Sequence, residues 1–171
     1  KGRELNMKNK RTLFLAQAAA IAAIYVVLSL VFAPLSYGEV QVRFSEALTV
    51  LPFFTPAAVP GLFVGCIIAN ILGGAIPADI IFGSLATLLG AVFTYKLRNM
   101  GKWIAPGPPV AANMIIVPFV LRYGYGVNLP IPLMMLTVGI GEVISAGVIG
   151  MILLNVLSRY KHTIFGRKTA A

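Results

Sequence analysis

"TLFLAQAAAIAAIYVVLSLVFA", residues 12–33, carries no charged side chain. At 1.5 Å per residue a helix of this length crosses the roughly 30 Å hydrocarbon core of a bilayer. Comparable apolar stretches follow as far as Ser158, so the segment does not read as a cleaved signal. The whole 171-residue chain is 58% hydrophobic and 11% charged, with a mean hydropathy of +0.89. A soluble domain carries about 25% charged residues, and these are too few to build a water-facing exterior. The fold class read from this pattern is an all-α integral membrane protein.

Six spans fit the hydropathy: 12–33, Ser45 to Phe54, Ala57 to Leu72, 78–97, 108–122 and 131–158. Pro52, Pro56 and Pro60 break any single helix across the second and third. The second is too short to cross alone, which predicts a tilted, broken or bundle-buried segment. The expected architecture is a six-transmembrane-helix bundle forming one membrane domain over residues 1–171. A cytoplasmic N-terminal segment (1–11) precedes the bundle (12–158), and a cytoplasmic basic tail (159–171) follows it.

The net charge of +9 is distributed as topology demands, so it does not point to nucleic acid. With both termini cytoplasmic, twelve of the fourteen Lys and Arg residues face inward, and only Arg43 and Arg122 face outward. Trp103, Tyr95 and Tyr160 then fall at the inner interface, and Tyr37, Tyr123 and Tyr125 at the outer one, beside headgroup lipid. Four of the five acids (Glu39, Glu46, Asp79 and Glu142) lie in the outer half, with Glu4 alone in the cytoplasm. A negatively biased, outward-opening cavity attracts a cation.

An ionisable group within a membrane is a functional candidate by default. Glu142, about ten residues into the last span, stands near the midplane; the competing reading is a hydrogen-bonded structural glutamate. Asn113 falls at similar depth and Asn70 near the outer end of the third span. Each amide suits recognition of a heterocycle, and each equally suits a bond between helices. Asp79 follows Pro77 at a helix start, where a carboxylate also serves the helix dipole. In 37–50, "YGEVQVRFSEALTV", Glu39, Gln41, Arg43 and Ser45 alternate with apolar residues, the period of an extended lid. Ser45 is expected to cap the following helix, with Glu46 in its first turn. Phe44, Phe53, Phe54 and Tyr125 are candidates to stack on a flat ligand. Gln17 and Arg122 read as packing and interface residues.

Enzyme signatures are missing. The single histidine, His162, lies in the basic tail, and no phosphate-cradling loop, nucleophile–base pair or histidine-rich metal cluster is present. No metal or cofactor is expected, and Cys66 has no cysteine to pair with. Small residues in "AQAAAIAAIY" share helix faces in several registers: Ala16, Ala20 and Ala23, Ala18 with Ala22, and Ala19 with Ala23. Such spacing lets another helix approach closely, although alanine is also a common filler of membrane helices.

An alanine-rich first helix and six spans in about 170 residues resemble a substrate-binding S component of energy-coupling factor transporters. More specifically, "VQVRFSEALTVLPFFTPAAVPGLFVGCIIANILGG" (40–74) and "PADIIFGSLATLLGA" (77–91) are similar to the QueT family. The resemblance implies residence in the bacterial cell membrane and uptake of a queuosine precursor, 7-aminomethyl-7-deazaguanine or queuine. It also implies docking, through first-helix alanines, to a transmembrane T subunit driven by two cytoplasmic ATPases. The ATP is theirs; the chain itself is not expected to be an enzyme. A cationic aminomethyl group suits a desolvated carboxylate, and a guanine-like edge suits a second acceptor. The rival is a proton-coupled secondary transporter with Glu142 as carrier, and a membrane enzyme is a more distant third. Six spans without an inverted repeat argue against the secondary transporter.

Overall fold

The computed structural model describes residues 2–33 and 43–164, with side chains over 9–33 and 43–160. No strand occurs among the described residues. The helices are α1 (Gly2–Val31), α2 (Ala58–Leu72), α3 (Pro77–Leu97), α4 (Gly107–Phe119), α5 (Ile131–Glu142) and α6 (Gly150–Ile164). A 3₁₀ segment, Phe44–Phe53, lies between α1 and α2. Two π-helical segments prolong helices: Val120–Gly124 continues α4, and Val143–Ile149 joins α5 to α6.

Four of these stretches are long and apolar enough to cross a membrane: Asn9–Val31, Pro77–Met100, Lys102–Gly124 and Ile131–Tyr160. Phe44–Phe53 and Ala58–Leu72 are shorter apolar helices at the positions of the second and third expected spans. The helix is interrupted between them, as the prolines require: Pro52 contributes no N–H, and Phe54 to Ala57 form turns.

The surface has the polarity of a lipid-facing bundle. Leu85, Leu89 and Phe93 on α3, and Leu136, Ile140, Val148 and Ile152 along the last span, all point outward. In water such a face would aggregate or bind a partner. The interior instead holds Arg43, Glu46, Asn70, Asp79, Thr87, Asn113 and Glu142.

Sequential helices pack side by side, α1 on α2, α2 on α3, α3 on α4 and α4 on α5. The 3₁₀ segment is the hub, touching α1, α2, α3, α6 and the second π segment. Ser45 through Pro52 are all buried. A 3₁₀ run of ten residues is unusually long, and burial against five neighbours supplies what its poorer hydrogen bonds do not. The join of α1 to α2 needs glycine at two points. A Cβ at Gly61 would stand 2.7 Å from the Ala18 carbonyl oxygen, and one at Gly65 would stand 3.0 Å from the Ala22 Cα. On the other side of the hub, a Cβ at Gly150 would stand 2.9 Å from Val50 Cγ1.

The alanines of α1 therefore separate into two faces. Ala18 and Ala22 are half-buried against the α2 glycines, whereas Ala16, Ala19, Ala20 and Ala23 are exposed.

Candidate functional site

The site is built from the start of the 3₁₀ segment outward. Arg43 precedes that segment in extended conformation (φ −93°, ψ 101°), and Glu46 sits in its first turn. Glu46 Oε1 accepts the hydroxyl of Tyr25 from α1 and, at 3.4 Å, that of Thr87 from α3. Its Oε2 accepts the Asn113 amide of α4 at 3.5 Å. Three helices thus converge on one carboxylate that is 1% exposed. Donors at this density are what allow a buried carboxylate to persist.

Arg43 Nη2 lies 3.5 Å from Asp79 Oδ2, and the Tyr125 hydroxyl donates to the same oxygen at 3.0 Å. Asp79 is in the first turn of α3 but makes no side-chain capping bond; its carboxylate is engaged across the bundle instead. Asp79 Oδ1 is buried without a hydrogen-bond partner. Tyr125 lies in the connection beyond the fourth helix. Partial burial, then the neighbouring Asp79 carboxylate, pushes its phenol above the usual range.

Glu142 closes α5, where the helix widens into the π segment, and it is buried with no hydrogen-bond partner on Oε2. It lies near Glu46, Arg43 and Asn113. Ser145, one turn on and fully buried, likewise has an unpartnered hydroxyl. Single π turns in long helices recur at functional sites, because the extra residue re-aims neighbouring side chains. Here Ser145 lies inside the π segment and Glu142 immediately before it, and both are buried in the bundle.

The structure thus brings Arg43, Glu46, Asp79, Asn113 and Glu142 into one buried cluster. Asn70 stands at its edge, donating to the Asp79 backbone carbonyl at 3.4 Å and to Cys66 Sγ at 3.6 Å. It stitches α2 to the start of α3. Glu39 lies outside the described residues, as does the rest of 37–42; from Phe44 on, the expected lid is instead part of the buried 3₁₀ segment.

Several local expectations change. Ser45 does not cap the 3₁₀ segment; Arg43 occupies the cap position, and the Ser29 hydroxyl meets that of Ser45 at 2.8 Å. The reason is the stripe Ile21, Tyr25 and Ser29, whose four-residue spacing turns all three inward from α1. Phe44 stacks on Phe32 (4.4 Å between centroids), and Phe53 meets Phe54 edge-on at 5.4 Å, so these rings pack against protein. Gln17 accepts from the Thr55 hydroxyl at 3.0 Å, a bond between α1 and the interhelical turn. Tyr25, Thr87 and Ser145 join the site without having been singled out in the sequence. The signal available for Tyr25 was its helical register with Ser29.

An inward cluster of charge under a lipid-facing shell defines a multi-pass protein of the cell membrane. The chain belongs to the QueT transporter family, whose model matches residues 15–159. It is 35% identical over 85 residues to the queuosine precursor transporter QueT of Lactococcus lactis subsp. cremoris. That alignment takes in 48% of this chain and 50% of the relative, so the chain spans about half the length of the curated protein it matches. No solved structure matches it.

Proposed function

We propose that the chain is the substrate-binding S component of an energy-coupling factor transporter that imports a queuosine precursor, 7-aminomethyl-7-deazaguanine or queuine. The observation that carries this reading is the unpartnered, buried Oε2 of Glu142 beside a cluster already equipped with donors and acceptors. An unmatched carboxylate oxygen in a low-dielectric interior costs several kcal/mol, and a bound ammonium removes that cost. The aminomethyl group supplies such a cation, and the guanine-like edge supplies N–H donors for a second carboxylate. Family membership and the relative's name support the substrate class.

In this proposal the chain spans the membrane six times with both termini cytoplasmic. It hydrolyses nothing itself. The exposed face of Ala16, Ala19, Ala20 and Ala23 docks against a transmembrane T subunit, which two cytoplasmic ATPases drive. The test is mass spectrometry of the small molecule that co-purifies, followed by uptake assays with and without the ATPases. A deazaguanine base and ATP-dependent uptake are expected. A vitamin in the site would overturn the substrate, and uptake with no ATPase present would replace energy coupling with proton coupling through Glu142.

A further inference from the structure

Glu46 and Glu142 both lie near the Asn113 amide, yet they are not equivalent. An ionised carboxylate offers about four acceptor sites. Glu46 has three in use: the Tyr25 and Thr87 hydroxyls on Oε1 and the Asn113 amide on Oε2. Its remaining capacity is on Oε2. Glu142 Oε2 accepts nothing.

Tyr25 is well fixed to play this part. It is 1% exposed, and its Cβ stands 3.0 Å from where a Cβ on Gly65 would lie, so α2 packs closely against the base of the side chain. The neighbouring Ser29–Ser45 contact fastens the same face of α1 to the 3₁₀ segment one turn further on. The phenol therefore approaches Glu46 from a direction that the packing sets.

We infer that Tyr25 is a specificity-determining positioning residue of the binding site: by occupying Oε1 of Glu46 it leaves Glu142 as the counter-ion for a ligand's cationic group. Glu46 then serves a neutral ring N–H through Oε2. This rests on the ligand-binding reading above. A cation settling on Glu46 must displace a charge-assisted bond on Oε1 or share Oε2 with the Asn113 amide, whereas one settling on Glu142 Oε2 displaces none. The division of labour between two carboxylates is thus set by a residue of α1 that does not touch the cation.

The test is a double-mutant cycle on the full chain, read by calorimetry with two probes. One probe is 7-aminomethyl-7-deazaguanine; the other is its 7-methyl analogue, which keeps the ring edge and lacks the cation. Glu142→Gln in the unaltered background should reduce preference for the aminomethyl base on the order of tenfold or more. In the Tyr25→Phe background, where the ring stays and Oε1 is released, Glu46 competes for the cation and the same substitution should cost several-fold less. An equal loss in both backgrounds, with both variants binding the 7-methyl base, would overturn the inference alone. Failure of the unaltered protein to bind either base would overturn the substrate reading and the inference with it. If Tyr25→Phe does not fold, Thr87→Val removes the other Oε1 donor, and a reduced loss of the same sign is expected; no reduction there overturns the inference.

Discussion

Arg43 meets Asp79 at 3.5 Å, joining the residue that opens the 3₁₀ segment to the first turn of α3. Both side chains are buried, so neither charge has bulk water to fall back on. Removing one partner of such a pair costs more than the pair contributes, because the other charge is left stranded. Asp79→Asn should therefore lower stability by about 3 kcal/mol, read as a fall in the thermal unfolding midpoint of the purified protein. An unchanged midpoint would mean that Arg43 is held by its other contacts.

Glu142→Gln should act in the opposite direction on the empty protein. Its Oε2 is buried without a partner, and the substitution leaves no ionisable group there. The unfolding midpoint is expected to stay level or rise while ligand affinity falls on the order of tenfold or more. A protein that loses stability instead would show Glu142 to be a structural glutamate.

Gly61→Ala should loosen the join between α1 and α2. The new methyl would lie 2.7 Å from the Ala18 carbonyl oxygen, a backbone atom that cannot turn aside. Overpacking of this kind costs about 1–3 kcal/mol, measurable by thermal unfolding. Full stability would show that the helices slide apart at little cost.

In the proposed energy-coupling transporter, Ala20→Leu should leave the fold and substrate binding unchanged and abolish ATP-driven uptake. Ala20 is exposed and lies away from the face that meets α2, so an isobutyl group there obstructs only an approaching helix. Pull-down of the T subunit with the variant reports the loss directly. Loss of substrate binding would place this face inside the bundle, and full uptake would move the contact to another register.

Much of the architecture was readable because hydrocarbon imposes simple rules: long charge-free runs, basic flanks and prolines at breaks located most helix ends to within a few residues, although α1 begins at Gly2, ten residues before the expected span, and α6 runs on to Ile164. The 3₁₀ character of Phe44–Phe53 was not readable. An apolar run of ten residues looks alike in either helix, and burial decided the matter. The carboxylates were conspicuous because they are rare in such a chain. Their partners were not, since Tyr25 and Thr87 are ordinary residues in membrane helices until folding aims them at Glu46. That Ala18 and Ala22 face α2 depends on the glycines at 61 and 65, which no inspection of α1 alone discloses.

The π turn at Val143–Ile149 works as a frame shift within a single span. Each residue of an α-helix advances the azimuth by roughly 100°, so an added residue rotates everything beyond it relative to everything before. The part of the span before the turn is phased to present Glu142, and the part after it is phased to lay Gly150 against Val50 and Ala47. Neither phase follows from the other. Chain length between the two is thereby constrained more tightly than composition: exposed Val148 can exchange for another apolar residue, but deleting it would unphase one half from its contacts.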